Sequence, residues 1–336
     1  MLRYELKKIC FTKRNYLVLL IFALLYLGLI LYTDRFFIGG ADAEMTKEMC
    51  IKINAERSET INSILSGQSS DMVTRYYYQE DNNHIVNRSI ASLFIKNMVF
   101  GVVVSICAIF IICSSFSVEY KTGMYMLTKV TSKGHSNVNY IKYISGVLTA
   151  VALTIFFTAE CLIANCIILR LDKSFFTCPL YLVDGYELCA SGLTLTDYFI
   201  FQFAMTLLIA LLTATVTMFF SKLVQKAPFA VFGSMVFVLS GVAVDLLNEY
   251  IYSNEFDTGS FRLMSVVTFN KLYESTKAIN PYALLNVGYY LEKPRFTFVG
   301  EYAWTNWTFP MVVTLLLVGI MSIYILHEKR IVTDRK

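Results

Sequence analysis

Few residues in this chain have the types and spacing that chemistry requires. No GxxxxGK(S/T) run occurs, so the chain lacks the loop that cradles nucleotide phosphates. The three histidines, His84, His135 and His327, stand far apart, and no HExxH, CxxC or Cys/His cluster offers a metal ligand set. None of them falls in the middle of an apolar run, where a Ser–His hydrolase of the membrane would need it. No two carboxylates share such a run for acid–base work. These absences predict a chain that is not an enzyme and holds no metal or cofactor of its own.

Two acids and two cysteines remain. Glu160 is the single charge between residues 143 and 169. Ionisable groups are costly inside an apolar span, so one reading is a proton- or cation-coupling carboxylate. The other is a packing residue, neutral or bonded to a hydroxyl of another helix, since no second acid or basic partner accompanies it. Cys178 and Cys189 share one short loop. A disulfide between them and two separate thiols both suit that placement. Cys107, Cys113, Cys161 and Cys166 lie in apolar runs and read as small packing residues. The second acid, Glu119, opens a short polar stretch between two apolar runs, FSVEYKTGMYMLTKVTSKGH, from Phe116 to His135.

The elements that must position these residues are membrane helices. The chain is 56% hydrophobic and 16% charged, against the roughly 25% charged residues of a soluble domain. Residues 15–33, 97–118, 198–221, 227–244 and 302–327 carry no Asp, Glu, Lys or Arg, and residues 143–169 carry only Glu160. A span needs about 20 apolar residues. The expected fold is an all-α polytopic membrane protein, one membrane domain over 1–336. Its six spans fall near 16–33, 97–118, 143–169, 198–221, 227–247 and 306–327.

Lys and Arg set the orientation. With the first residue inside, segments 1–14, 119–142, 222–226 and 328–336 hold 15 basic residues against 4 acids. The translocated segments 34–90, 170–196 and 245–301 hold 13 against 19. Both ends are therefore expected in the cytoplasm and the protein in the plasma membrane. Ala41-Asp42-Ala43 has the small-residue spacing of a cleavage site, but the apolar run before it is too long for a signal peptide, so the first span is expected to stay. Leu2, Leu6 and Ile9 alternate with Arg3, Lys7 and Arg14 at helical spacing, which suits an interfacial helix over 1–15. Two sizeable extracytoplasmic segments, 34–92 and 248–304, are too long for bare loops. The first shows helical spacing at Met45, Met49 and Ile53. The second carries Asn280-Pro281-Tyr282 ahead of an aromatic belt at Tyr302, Trp304 and Trp307. Two glycosylation sequons, at Asn87 and Asn306, are short enough to arise by chance.

The stretch 119–142 resembles the coupling loop of the permease subunit of type-2 ABC exporters. That loop carries a Glu, then Gly four positions on, leucines, a Lys-Gly turn and a Lys opening the third span. Here the positions are Glu119, Gly123, Leu127, Ser132-Lys133-Gly134 and Lys142. The start Glu5-Leu6-Lys7-Lys8 and the Asn280-Pro281-Tyr282 segment are similar to the family's as well. The chain departs from the pattern at Met124, where Thr often follows the Gly, and at His135, where Arg usually follows the turn. The resemblance implies six spans, a separate ABC ATPase subunit that binds ATP and Mg, and a second permease chain, identical or different. It implies export of an amphipathic cargo such as a lipid, peptide or drug, with Glu119, Gly123, Leu127 and Lys133 coupling to the ATPase. No nucleic acid is implied; the remaining partner is the lipid bilayer. Two rival readings stay open: a non-transporting sensor or immunity protein that binds a ligand through 34–90, and an ion-coupled secondary transporter working through Glu160.

Overall fold

The computed structural model describes residues 5–7, 12–37, 88–98, 100–122, 134–171, 173–183, 186, 189, 192–224, 226–258, 275–292, 296–299 and 302–326. Six helices among them are long and apolar enough to cross a membrane: Lys13–Thr33, Ile90–Val118, Val138–Ile168, Leu195–Val224, Ala227–Leu247 and Thr308–Leu326. Such runs become helices because a helix satisfies its own backbone where no water can. The second span begins before Lys96 and the third before Lys142, so a lysine does not mark either end. Lys96 is exposed, while Lys142 is buried.

In chain order the elements are α1 (Lys13–Phe37), α2 (Arg88–Asn97), α3 (Gly101–Ile112), α4 (Ser114–Thr122) and α5 (Gly134–Ile168). They continue through α6 (Lys173–Phe176), α7 (Leu195–Val224), α8 (Ala227–Thr258), α9 (Val287–Glu292) and α10 (Thr308–Leu326). The second span is thus assembled from α2, α3 and the start of α4. Pro228 and Pro310 sit in the first turns of α8 and α10, where a missing N–H costs nothing. The all-α expectation needs one correction. Strands β1 (Phe296–Val299) and β2 (Tyr302–Thr305) form an antiparallel hairpin pairing Phe296 with Thr305 and Val299 with Tyr302. Its Phe, Thr and Val residues favour a strand, and α10 starts only at Thr308.

Helix α7 stands at the centre, against α3, α5, α8 and α10, while α1 lies outside α3 and α5. Within the protein 71% of the second span and 61% of the fourth are buried, against 11%, 22% and 17% of the first, fifth and sixth. The outer three show Leu24, Leu25, Phe232, Leu247, Ile320 and Ile323 on the surface. A soluble protein rarely exposes so continuous an apolar face; a bilayer is its natural solvent. Thr194 and Asp197 start α7 as a capping box: the Asp197 carboxylate accepts from the Thr194 N–H at 2.9 Å, and Thr194 Oγ1 accepts from the Asp197 N–H at 3.3 Å.

Residues 275–292 are the part of the fold that spacing did not foretell. They turn in between α7, α8 and α10 through a 3-10 turn, Pro281–Leu285, whose Tyr282, Ala283, Leu284 and Leu285 are buried. Of the interfacial helix expected at 1–15, residues 5–7 are helical and α1 begins at Lys13, and the rest lies outside the described residues. The helical structure expected between Met45 and Leu65 lies outside them too.

Candidate functional site

The second span carries a joint near its end. The helical ladder is interrupted at Cys113, between α3 and α4. The Ile112 carbonyl accepts from Ser115 Oγ at 2.7 Å. The Phe116 N–H donates instead to Ser221 Oγ on α7 at 3.3 Å, and that hydroxyl donates to the Cys113 carbonyl at 2.8 Å. A side chain inserted into a helix ladder is a recognised cause of a kink. Here it comes from a neighbouring span, so α7 takes up the groups freed between α3 and α4, while Cys113 itself keeps helical dihedrals (φ −53°, ψ −27°).

Other spans fasten the same end of the bundle. Arg14 of α1 donates through Nη2 to Ser114 Oγ at 3.2 Å and through Nε to Asn15 Oδ1 at 3.2 Å. Lys142 of α5 is 1% exposed, with Nζ 4.8 Å above the centre of the Phe116 ring. Tyr143 of α5 shares a 2.6 Å hydrogen bond with Ser322 of α10. Lys222 donates to the carbonyls of Ile325 and Tyr324 at 2.8 and 3.4 Å, a cation closing the last turn of α10. Helix α4 is therefore held by side chains or rings of the first, third and fourth spans.

Glu119 lies on α4. Gly123, Leu127 and Lys133 lie outside the described residues. Chain resumes as helix at Gly134, so both flanks of the polar stretch are helical and His135 belongs to the first turn of α5.

Glu160 lies within α5, partly buried, and its Oε2 has no hydrogen-bond partner among the described residues. A polar cluster sits on the same stretch of α5, where the second span breaks between Asn97 and Gly101. The Asn97 carbonyl, left by that break, accepts from Tyr26 Oη at 2.8 Å. Its side chain accepts from Thr33 Oγ1 at 2.6 Å and donates to Asn165 Oδ1 at 2.8 Å. This cluster locks the first, second and third spans together, and its asparagine side chains are mutually satisfied.

Cys178 and Cys189 are both buried and are not bonded to each other. Cys178 Sγ donates to the Pro179 carbonyl at 3.4 Å and Cys189 Sγ to the Leu291 carbonyl at 2.7 Å. Separate thiols are one of the two arrangements their shared loop allows. The loop is closed by backbone, with Leu180 N–H on the Leu193 carbonyl and Leu195 N–H on the Cys178 carbonyl, so it needs no cross-link.

The inserted segment 275–292 carries its own polar fittings. Gln202 Nε2 donates to the Leu285 carbonyl at 3.1 Å, Asn280 Nδ2 to the Gly241 carbonyl at 2.7 Å, and Tyr282 Oη meets Thr213 Oγ1 at 3.1 Å. A Cβ on Gly241 would collide with the Tyr282 ring, which explains the glycine. Lys277 and Asp245 form an ion pair at 2.6 Å with side chains 2% and 11% exposed. Beside it a groove of about 370 Å³ opens between α8 and the segment, walled by Phe237, Val244, Ile279 and Tyr282.

Sequence reasoning set Glu160 inside the third span and Glu119 at the start of a loop, where the backbone is still helical, and it missed Ser221, Asn97 and Gln202. Their one signal was polarity inside an apolar run. No protein-family model matches the chain, and no curated protein matches it either.

Proposed function

We propose that this chain is the membrane-spanning permease subunit of a type-2 ABC exporter, moving an amphipathic cargo with ATP hydrolysed on a separate subunit. The observation that carries the reading is α4. It is a helix bearing Glu119 just past the end of the second span, divided from α3 by the Cys113 joint and fastened to the first, third and fourth spans. A helix held in that way would pass the motion of a soluble partner into several spans as a rigid body. The Lys and Arg distribution supports placing this end in the cytoplasm, with both termini inside and segments 34–92 and 248–304 outside. ATP and Mg would be bound by the partner, and a second permease chain would complete the pathway in the plasma membrane. The groove beside Tyr282, apolar with Ser240 and Asn280 in its lining, suits a lipid, peptide or drug with one polar end.

The test is purification of the full chain from its native membranes. A P-loop ATPase is expected to accompany it, and Glu119→Lys is expected to release that subunit and abolish export. If Glu119→Lys leaves both complex and transport intact, α4 is not the coupling element.

One observation favours a second reading. The unpartnered Oε2 of Glu160 is what an ion-coupled secondary transporter would use. Transport that follows a proton gradient, needs no ATPase and is lost in Glu160→Gln would select it.

A further inference from the structure

We propose that the groove between α8 and the inserted segment 275–292 is a binding site for one acyl chain of a membrane phospholipid, entered sideways from the bilayer. This narrows the amphipathic cargo of the exporter reading to a lipid. It rests on that reading for the leaflet: with 248–304 outside, the chain belongs to a lipid of the outer one.

The two walls meet in antiparallel register. Asp245 of α8 pairs with Lys277 at 2.6 Å, the Gly241 carbonyl accepts from Asn280 Nδ2 at 2.7 Å, and the Phe237 and Tyr282 rings meet edge-on at 6.1 Å. The fifth span ends at Leu247, so the ion pair stands close to the boundary of the apolar run. Phe237 lies eight residues back along the helix, about 12 Å deeper. Polarity therefore falls along the groove from a pair of charges, through an amide, to two rings. A phospholipid has the same order, from polar head to hydrocarbon chain, and 12 Å stays within one leaflet's half of a hydrocarbon core roughly 30 Å thick.

The polar groups of the lining are taken up by the fold. Asn280 gives Nδ2 to Gly241 and accepts at Oδ1 from the Tyr282 N–H at 3.1 Å, and Ser240 Oγ donates to the Phe237 carbonyl at 2.9 Å. Tyr282 Oη meets Thr213, and Thr276 is engaged as well. A peptide backbone or polar drug entering there would give up hydrogen bonds and regain few, whereas a hydrocarbon chain gives up none. Phe237, Val244, Ile279 and Tyr282 wall a space of about 370 Å³. Ile279 is 68% exposed, and Val236 and Leu239 of α8 are exposed too, so the groove opens onto the apolar face that α8 shows to its surroundings. At that depth water is absent and lipid chains are what surrounds the protein. Chain and bilayer are equally apolar, so the preference comes from packing: a chain lying between two walls touches more atoms than one on a flat helix face.

The test uses the full-length chain in phosphatidylcholine nanodiscs that contain a small fraction of phosphatidylcholine with a photoreactive diazirine on one acyl chain. After irradiation, residues 237–244 and 276–282 are expected to carry roughly tenfold more label per residue than the exposed faces of α1 and α10. Val244→Phe and Ile279→Phe each put a ring into the groove from an exposed position, and each should bring the label down to the level of those faces. Val236→Phe, on the same helix but outside the groove, should leave it unchanged. If one filling variant melts far below the wild type, the other decides. Label spread evenly over α1, α8 and α10, or undiminished by a folded filling variant, overturns the site and makes the groove ordinary bilayer-facing surface. So does loss of the groove label alone on adding an excess of a cationic amphipathic peptide, which would assign the groove to a peptide. Retention of the ATPase on purification reads the exporter separately. A labelled groove in a chain that carries no ATPase keeps the site and removes the exporter; an unlabelled groove in a chain that carries one does the reverse.

Discussion

Replacing Ser221 by alanine removes one hydroxyl and should loosen the joint on which α4 turns. That hydroxyl accepts from the Phe116 N–H at 3.3 Å and donates to the Cys113 carbonyl at 2.8 Å. The two groups are not equally harmed by its loss. The Cys113 carbonyl keeps Ser117 Oγ at 3.5 Å. The Ile112 carbonyl, four residues before Phe116, is already occupied by Ser115 Oγ. The orphan is therefore the buried Phe116 N–H, and an unsatisfied buried donor costs about 1–3 kcal/mol. Taking about 2 kcal/mol, the thermal midpoint should fall by roughly 5 °C. Ser221→Thr, which keeps the hydroxyl, should lose less than the alanine variant. Hydrogen exchange gives a local reading: protection at the Phe116 amide should drop in Ser221→Ala, while amides of α9, at the opposite end of the bundle, stay unchanged. If Ser221→Ala melts with the wild type and the Phe116 amide keeps its protection, the ladder closes without the serine and the joint is not held by α7.

Two further outcomes follow from the opposite end of the bundle. Asp245→Ala takes the carboxylate from a lysine that is 2% exposed and should destabilise the chain by about 3–5 kcal/mol, whereas Asp245→Leu with Lys277→Met should restore most of it in the same melting assay. Thiols titrated after unfolding without reductant should include both Cys178 and Cys189, and reduction beforehand should not raise the count; an increase that disappears in Cys189→Ser would restore the disulfide.

The helices were legible because charge is expensive in a bilayer, so its absence marks a span directly. Their ends were less legible for the same reason: treating charges as boundaries fails at Lys96, which points outward from its helix, and at Lys142, which is buried beneath α4. The position of Glu119 could be read from the interval between two apolar runs. What Ser221 does could not, because a serine in an apolar run can also bond back to its own helix, as Ser105 and Ser234 do here. Only packing reveals that Ser221 points across to Cys113. The Asn280-Pro281 pair announced a turn, and Asn280 indeed caps it by accepting from the Tyr282 N–H at 3.1 Å. That the turn lies among the spans depends on Gln202 and Gly241, far away in sequence, and no local pattern links them. The hairpin at 296–305 was hidden by aromatic residues that equally suit a membrane interface.

The polar residues inside the spans divide into two kinds, and the division bears on what the interior does. At three places where the backbone leaves its helical ladder, side chains from other elements meet it. Tyr26 serves the Asn97 carbonyl, Ser221 the Phe116 N–H and Gln202 the Leu285 carbonyl. Non-helical backbone is tolerated at membrane depth only when it is satisfied in this way. Each of these residues is thus accounted for by the fold, and none is left over to line a path for polar cargo. Glu160 is different: like Asn139 Nδ2 and Thr158 Oγ1 on the same helix, its Oε2 meets no partner among the described residues, but unlike them it can carry a charge. A side chain that the architecture does not need, at a depth where its charge is costly, is the place where coupling to an ion would be found if the energy came from a gradient. Helix α4 is the place where it would be found if the energy came from ATP. The two sites lie on different stretches of the chain, so Glu160→Gln and Glu119→Lys should separate them: the variant that abolishes transport while the other spares it names the source of energy.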